Sequence, residues 1–291
     1  MADVLQLLVA GLATGAIYTL AAIGFTLLWQ TSQTINFAQG EFVMVPAFFV
    51  LVAMNAGLPF WAAIALGVLA SLIVLGVLFK QLMVDPMIRH GVLPLVIATI
   101  ALGLLLKEGV KEFYGAEAQP FPPLAADVNV SIAGASVAVQ SLVVLAVAVV
   151  AVATLQLFLN RTRTGRSMQA TAQNPAVARI LGIPVERMIL FTFLINAALT
   201  ALASILVTPI YLAKFTNGEW LGLYAFIAAI VGGFNQVRGA ILGGLLLGVV
   251  DNFAAAYLSA AYRSALPLLI LIVVILFRPQ GLLGRLEERS V

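Results

Sequence analysis

Three polar residues that could hold a charged or amide-bearing solute lie close together in an otherwise apolar stretch, Ile35-Asn36-Phe37-Ala38-Gln39-Gly40-Glu41. Asn36 and Gln39, three positions apart, have the spacing of a capping pair at a helix start. A helix beginning near Phe37 aims its free N–H groups and positive dipole end at whatever lies before it. A carboxylate at Glu41 adds a group able to hold an ammonium. A short cytoplasmic loop followed by a capped helix fits the same residues. Farther along, Asp251 and Asn252 interrupt the apolar run Ala240–Leu258, and Asn196 interrupts Met188–Ala213. Ionisable groups inside such runs are costly and mark pathways. The amides of Asn196 and Asn252 read more simply as helix–helix contacts. Tyr18 reads either as a pathway residue or as a packed aromatic.

Other chemistry is excluded. None of Lys80, Lys107, Lys111 or Lys214 is followed by Ser or Thr, so the chain has no Walker A phosphate loop. His90 is the only histidine and there is no cysteine, which removes His-Glu-x-x-His zinc sites, thiolate nucleophiles and disulfides. A Ser-His-Asp triad would depend on His90 in a short basic loop. No resident cofactor or metal is expected, and no nucleic acid.

The elements that must position these residues are set by composition. Of 291 residues, 63% are hydrophobic and 9% charged. Soluble domains run at about 45–50% apolar and about 25% charged. The expectation is an all-α, polytopic integral membrane protein with about 8–10 transmembrane helices, forming a single domain over residues 1–291 in contact with lipid. The apolar runs do not alternate with period two, which disfavours an outer-membrane barrel. Nine segments emerge: Val4–Trp29, Phe42–Met54, Trp61–Phe79, Val92–Leu106, Val137–Leu159, Met188–Ala213, Leu221–Phe234, Ala240–Leu258 and Leu266–Phe277. The first lacks a basic n-region and is too long for a signal h-region, so it is read as a retained span. Phe42–Met54, Leu221–Phe234 and Leu266–Phe277 fall short of the ~20 residues a straight crossing needs. The first of them reaches that length only by drawing Asn36–Glu41 into the membrane.

Arg161, Arg163, Arg166, Arg179 and Arg187 place the loop Asn160–Arg187 in the cytoplasm. Alternation then puts Lys80, Arg89, Arg238, Arg278, Arg285 and Arg289 inside, and Lys107, Lys111, Lys214 and Arg263 outside. With nine spans the N-terminus falls outside and the C-terminus inside; a single re-entrant segment among them puts the N-terminus inside instead. Lys107–Ser136, with Glu108, Glu112, Glu117, Asp127 and its proline cluster, is expected to be an external loop of extended character. Within the cytoplasmic loop, about 160–188, Asn174-Pro175 reads as a cap and first helical position, and Gly182 as the stop. The short helix Ala176–Leu181 between them suits docking into a groove on a soluble partner. A basic loop serving topology and lipid contact fits equally. Glycines four apart, at Gly11 and Gly15, Gly239 and Gly243, and Gly244 and Gly248, form a smooth stripe for close helix packing.

Several motifs together resemble the permease subunits of branched-chain amino-acid ABC importers of the LivH type. They are Gly15-Ala16-Ile17-Tyr18-Thr19-Leu20, Ile35 to Glu41, Thr164-Gly165-Arg166 through Ala172-Gln173-Asn174, Leu181-Gly182-Ile183, the late glycines, and Arg278-Pro279-Gln280-Gly281-Leu282-Leu283-Gly284. The chain departs from the family pattern at Gln39, where His is common, at Tyr224, where Lys is common, and at Val237-Arg238, where Ile-Pro is common. The resemblance implies a passive half of a translocation pore in a bacterial inner membrane. A second permease of the LivH or LivM kind, two cytoplasmic ATPase subunits carrying ATP and Mg, and a periplasmic binding protein complete it. Implied pathway residues are Tyr18, Asn36, Gln39, Glu41 and Asp251. Implied ATPase-coupling residues are Gly165, Asn174, Ala178, Leu181 and Gly182, with a charged or bulky Ala178 expected to uncouple transport without unfolding the permease. Related permeases carry urea, short amides and other amino acids. An ion-coupled carrier using Glu41 or Asp251, and an intramembrane enzyme, are the readings from other classes.

Overall fold

The computed structural model describes residues 2–88, 90–125, 128–132, 134–258 and 265–284. Arg89, Asp127, Arg263, Arg285 and Arg289, used above for sidedness, lie outside the described residues. Each of the nine apolar segments becomes a helix. The spans are α1 (Ala2–Ser32), α2 (Gln39–Asn55) and a rod, Phe60–Ile88, in which α3 (Phe60–Ser71) runs through π-helical turns at Leu72–Val84 into α4 (Asp85–Ile88). Next come α5 (Val92–Tyr114), the hairpin β1 (Asn129–Ile132) and β2 (Ala135–Ala138), and α6 (Val139–Arg161). The loop helices α7 (Arg163–Gln173) and α8 (Pro175–Ile180) precede α9 (Val185–Tyr211), α10 (Asn217–Gly232), α11 (Val237–Tyr257) and α12 (Ala265–Phe277). Among the described residues, six helices are long and apolar enough to cross a bilayer. The three short ones, α2, α10 and α12, come from the three segments that were short in the sequence.

The sequence of α1 is apolar on every side, and such a helix needs protein all round it. It is the central post: Gly11 and Ala13 through Leu28 are buried, with α6, α9, α10 and α11 packed about it. Lipid tails are as apolar as leucine, so helices gain little by leaving lipid and associate through close packing. The glycine stripe supplies that closeness. At Gly248 a methyl group would run into the backbone of Gly15 and the carbonyl of Gly11, so α1 and α11 meet main chain to main chain. Asn252 Nδ2 donates to Thr14 Oγ1 across the same contact, at 3.2 Å.

Chain ends alternate between two faces. On one face the end of α1 meets the start of α11, where Gln30 Nε2 donates to the Asn235 carbonyl at 2.5 Å. The Arg278–Gly284 motif folds back there, with Leu282 and Leu283 N–H bonding the Val231 and Gly232 carbonyls at the end of α10. On the other face Gln119 bridges to Ala213 and Phe60 packs on Phe121. The expected extended loop Lys107–Ser136 is corrected at both ends. Helix α5 continues to Tyr114, helped by the Glu108–Lys111 pair one turn apart at 3.1 Å. Asn129–Ile132 and Ala135–Ala138 pair as the hairpin.

Candidate functional site

After α1 the chain turns at Gln33, with φ +52°, and climbs back beside its own helix. Asn36 does not cap α2. Its Oδ1 accepts from Ala38 N–H at 3.0 Å in an Asx turn, and α2 begins at Gln39 with no side-chain cap. The expected capping pair is therefore replaced by a side-chain contact, Asn36 Nδ2 to Gln39 Oε1 at 3.4 Å. Gln39 and Asn196 exchange two amide hydrogen bonds, at 2.7 and 3.1 Å, and Gln39 also donates to the Ala21 carbonyl at 3.2 Å. Ala21 is 11 residues from the end of α1, and Asn196 is 11 residues from the start of α9. At ~1.5 Å per residue both lie roughly 16 Å along spans of 31 and 27 residues, so the start of α2 sits inside the membrane-spanning layer rather than at its edge. Both amides are wholly buried.

Replacing Gln39 by Leu strands the Asn196 amide. We expect a loss of about 1 kcal/mol, below the ~3 kcal/mol upper range for buried polar groups in soluble cores, because helices unfolded in lipid still find partners. Thermal unfolding of the detergent-solubilised protein measures it.

Glu41 follows in the first turn of α2, nearly buried. Its carboxylate lies against Gly103, at the middle of α5, where a side chain would crowd Glu41 Oε2. One turn outward on α5, Lys107 Nζ pairs with Glu219 Oε1 at 2.5 Å. Helices α2 and α10 begin side by side because Gly40 and Gly218 have no side chains to hold their backbones apart. Two positive helix ends therefore converge here, each with a carboxylate, Glu41 or Glu219, in its first turn. Phe215 covers Lys107 and Lys111, which lie 6.0 and 5.7 Å from its ring centre.

Tyr18 and Asp251 come together in a separate place. Tyr18 Oη donates to Asp251 Oδ2 at 3.2 Å within the packed contact of α1 and α11. Tyr224 packs on Tyr18 with ring centres 5.1 Å apart, and Trp220 closes the cluster. The sequence-read pathway residues thus divide into an Asn36–Gln39–Glu41 group at the α2 start and a closed Tyr18–Asp251 pair.

On the arginine-rich face, α8 forms as its local signals dictate. Asn174 Oδ1 accepts from Ala176 and Val177 N–H at 3.1 and 3.0 Å, and Pro175 takes the first helical position. Bonds from Ile183 N–H to the Ala178 carbonyl and from Gly182 N–H to the Arg179 carbonyl close a Schellman turn, with Gly182 at φ +78°. Gly165 seats α7 against the Phe158 carbonyl of α6. Ala178 faces inward, 1% exposed, whereas Val177, Ile180 and Leu181 are 49%, 85% and 72% exposed. Substitutions at Ala178 act on this inward face. A bulky group there would disturb the chain's own packing before it met a partner. Arg179 and Lys80 both reach Glu186 at 3.7 Å, and Lys80 pairs with Asp85 at 2.9 Å, tying the α8–α9 corner to the Phe60–Ile88 rod. Beside α7 a cleft of about 870 Å³ is lined by amides, including Gln30, Gln156, Asn160, Gln169 and Gln173.

Sequence reading missed the Lys107–Glu219 pair and the amide cleft. The pair joins residues 112 positions apart, on segments whose adjacency no local pattern carries. A repeated-amide signal was present for the cleft, at the ends of α1, α6 and α7.

Residues 7–275 match the family described as the permease component of the branched-chain amino acid transport system. The high-affinity branched-chain amino acid transport system permease protein LivH of Salmonella typhimurium is 32% identical over 99% of this chain and 97% of its own length. BraD of Pseudomonas aeruginosa, described in the same words, is also 32% identical, over 99% and 98%. The probable LivH of Methanocaldococcus jannaschii is 27% identical over 91% and 88%. Among solved structures, PsaBC from Streptococcus pneumoniae shares the fold with a TM-score of 0.51 at 14% identity, covering 95% of this chain and 92% of that one.

Proposed function

The chain belongs to the permease family of branched-chain amino-acid transport systems, and from that premise we propose that it is one half of the pore of an ATP-driven importer for branched-chain amino acids in a bacterial inner membrane. It is a multi-pass transport permease, not an enzyme. Its work is to alternate between inward and outward states, biased by a partner that binds the two unequally. A second, similar permease completes the pore, two cytoplasmic ATPases bind ATP and Mg, and a periplasmic binding protein delivers cargo.

The observation that carries this reading is α8, a capped, apolar-tipped helix held on the arginine-rich face and braced to the rod and α9. It has the form of a lever end for a soluble motor. Val177, Ile180 and Leu181 are the docking side chains; Gly165, Asn174, Ala178 and Gly182 hold the helix in place. Glu41 borders the path, with Asn36 and Gln39 as its wall. Tyr18 and Asp251 join the path only where α1 and α11 part.

Uptake by the complete complex in proteoliposomes tests the cargo. Leucine, isoleucine and valine should each enter at an ATP-dependent rate that unlabelled urea or short amides leave unchanged. Urea uptake without leucine uptake would overturn the assignment.

A further inference from the structure

The turn between α9 and α10 holds Leu212 at φ +65° and ψ 160°. Glycine reaches that region of backbone space freely, and a residue with a Cβ pays for it. The Leu212 side chain is 41% exposed, so its own packing does little to hold it there. Two clamps on the main chain hold it instead. Asn217 Nδ2 donates to the Leu212 carbonyl at 2.7 Å. Ala213 and Gln119 exchange backbone hydrogen bonds of 2.8 and 3.0 Å. Strain of this kind lasts only as long as the contacts that impose it.

The turn is placed to act on the path. Helix α9 joins the α8 corner to it, over 27 residues or roughly 40 Å at ~1.5 Å per residue. Pro209 removes a hydrogen bond from the last turn of that helix. Past Leu212, Phe215 lies over Lys107 and Lys111, and α10 starts against α2 at Gly40 and Glu41. The turn therefore lies between Glu41 and the face opposite α8.

We propose that residues 212–216 are a gate on that face, with Leu212 as its strained hinge. In the clamped form Phe215 covers the two lysines. When the clamps part, Leu212 returns to negative φ, the turn lifts, and the start of α10 with Glu219 moves away from α2. Strain in the clamped form brings the two forms closer in free energy, so a small push along α9 shifts the population between them. The proposal rests on the alternating-access reading above and on no particular cargo.

The chain has no cysteine, so Ala213→Cys gives one reporter in this subunit, at a side chain 1% exposed in the clamped form. The complete complex carries it alone or with Leu212→Gly, Leu212→Ala or Asn217→Ala. Labelling by a hydrophilic maleimide in nanodiscs is read from the mass of this chain, at rest and with ATP and loaded binding protein; uptake is measured in proteoliposomes. Turnover should speed labelling at least tenfold. Leu212→Gly relieves only the clamped form, and should slow both turnover labelling and uptake roughly tenfold. Leu212→Ala keeps a Cβ and the strain, and should stay within twofold of the reporter alone. Asn217→Ala opens one clamp and should speed labelling at rest. Labelling no faster in turnover than at rest would overturn the gate. Leu212→Gly that matches its parent, or Leu212→Ala as slow as Leu212→Gly, would overturn the hinge, and Asn217→Ala that labels at the resting rate of the reporter would overturn the clamp. If Ala213→Cys disrupts the fold, uptake by Leu212→Gly against Leu212→Ala in the cysteine-free chain decides the hinge. A wild-type complex with no ATP-dependent uptake overturns the permease reading itself, an outcome separate from a working complex with an indifferent Leu212.

Discussion

Changing Ile180 and Leu181 together to glutamate should abolish ATP-dependent uptake while leaving the permease folded. Both side chains stand on the tip of α8, 85% and 72% exposed, on the arginine-rich face. Contiguous exposed apolar groups on a water-facing surface mark a site covered by something else. Anchors of this kind carry ~2 kcal/mol or more of an interface, and burying two new carboxylates without partners adds to the loss. That is at least a thirtyfold weakening of the grip of the motor on this subunit. Substitutions this exposed change folding stability by less than ~0.5 kcal/mol, so the thermal midpoint should hold. The measurement pairs leucine uptake with ATP hydrolysis: uptake falls below a tenth, and hydrolysis stops responding to loaded binding protein. Ala178→Glu, by contrast, should lower the thermal midpoint, because Ala178 faces inward.

The second large effect is structural. Gly248→Leu forces a branched side chain into the backbone of Gly15 and the Gly11 carbonyl. Overpacking where a side chain can yield costs ~1–3 kcal/mol. Here the obstacle is main chain, and the helices are also tied by Tyr18–Asp251 and Thr14–Asn252. A loss above ~4 kcal/mol is expected, in the range reserved for severe core disruption. Size-exclusion chromatography in mild detergent should show little monodisperse protein. Gly109→Leu, on α5 with open space around it, should behave as wild type.

The parts of this architecture legible in the sequence were those written along a single helix. Apolar length separated full spans from the short helices α2, α10 and α12. Asn174-Pro175 and Gly182 marked α8 because capping is a matter of a few adjacent residues. The polar run Asn36–Glu41 was legible as buried because α2 is too short without it. Hydropathy gives extent along the membrane normal and says nothing about which way a residue faces. For that reason the resemblance that names Ala178 a coupling residue does not show that it packs inward, and Lys107, expected in an external loop, sits inside the α5 helix. The neighbours of a helix follow from where glycines allow contact. Gly40 and Gly218 bring α2 and α10 together and set Glu219 near Glu41, while Gly103 lets α5, which carries Lys107, pass against Glu41. Helix α7 was hidden within a polar loop because its ordering comes from docking on α6 rather than from an apolar run.

The central claim is that this chain moves solute only when a nucleotide-driven motor holds its inner face. Leucine accumulation in proteoliposomes measures it directly, comparing permeases alone under an imposed proton or sodium gradient with the same permeases joined to the ATPase subunits and supplied with ATP and loaded binding protein. The account predicts accumulation in the second case alone. Accumulation by the permeases under a gradient, with no ATPase present, would contradict it.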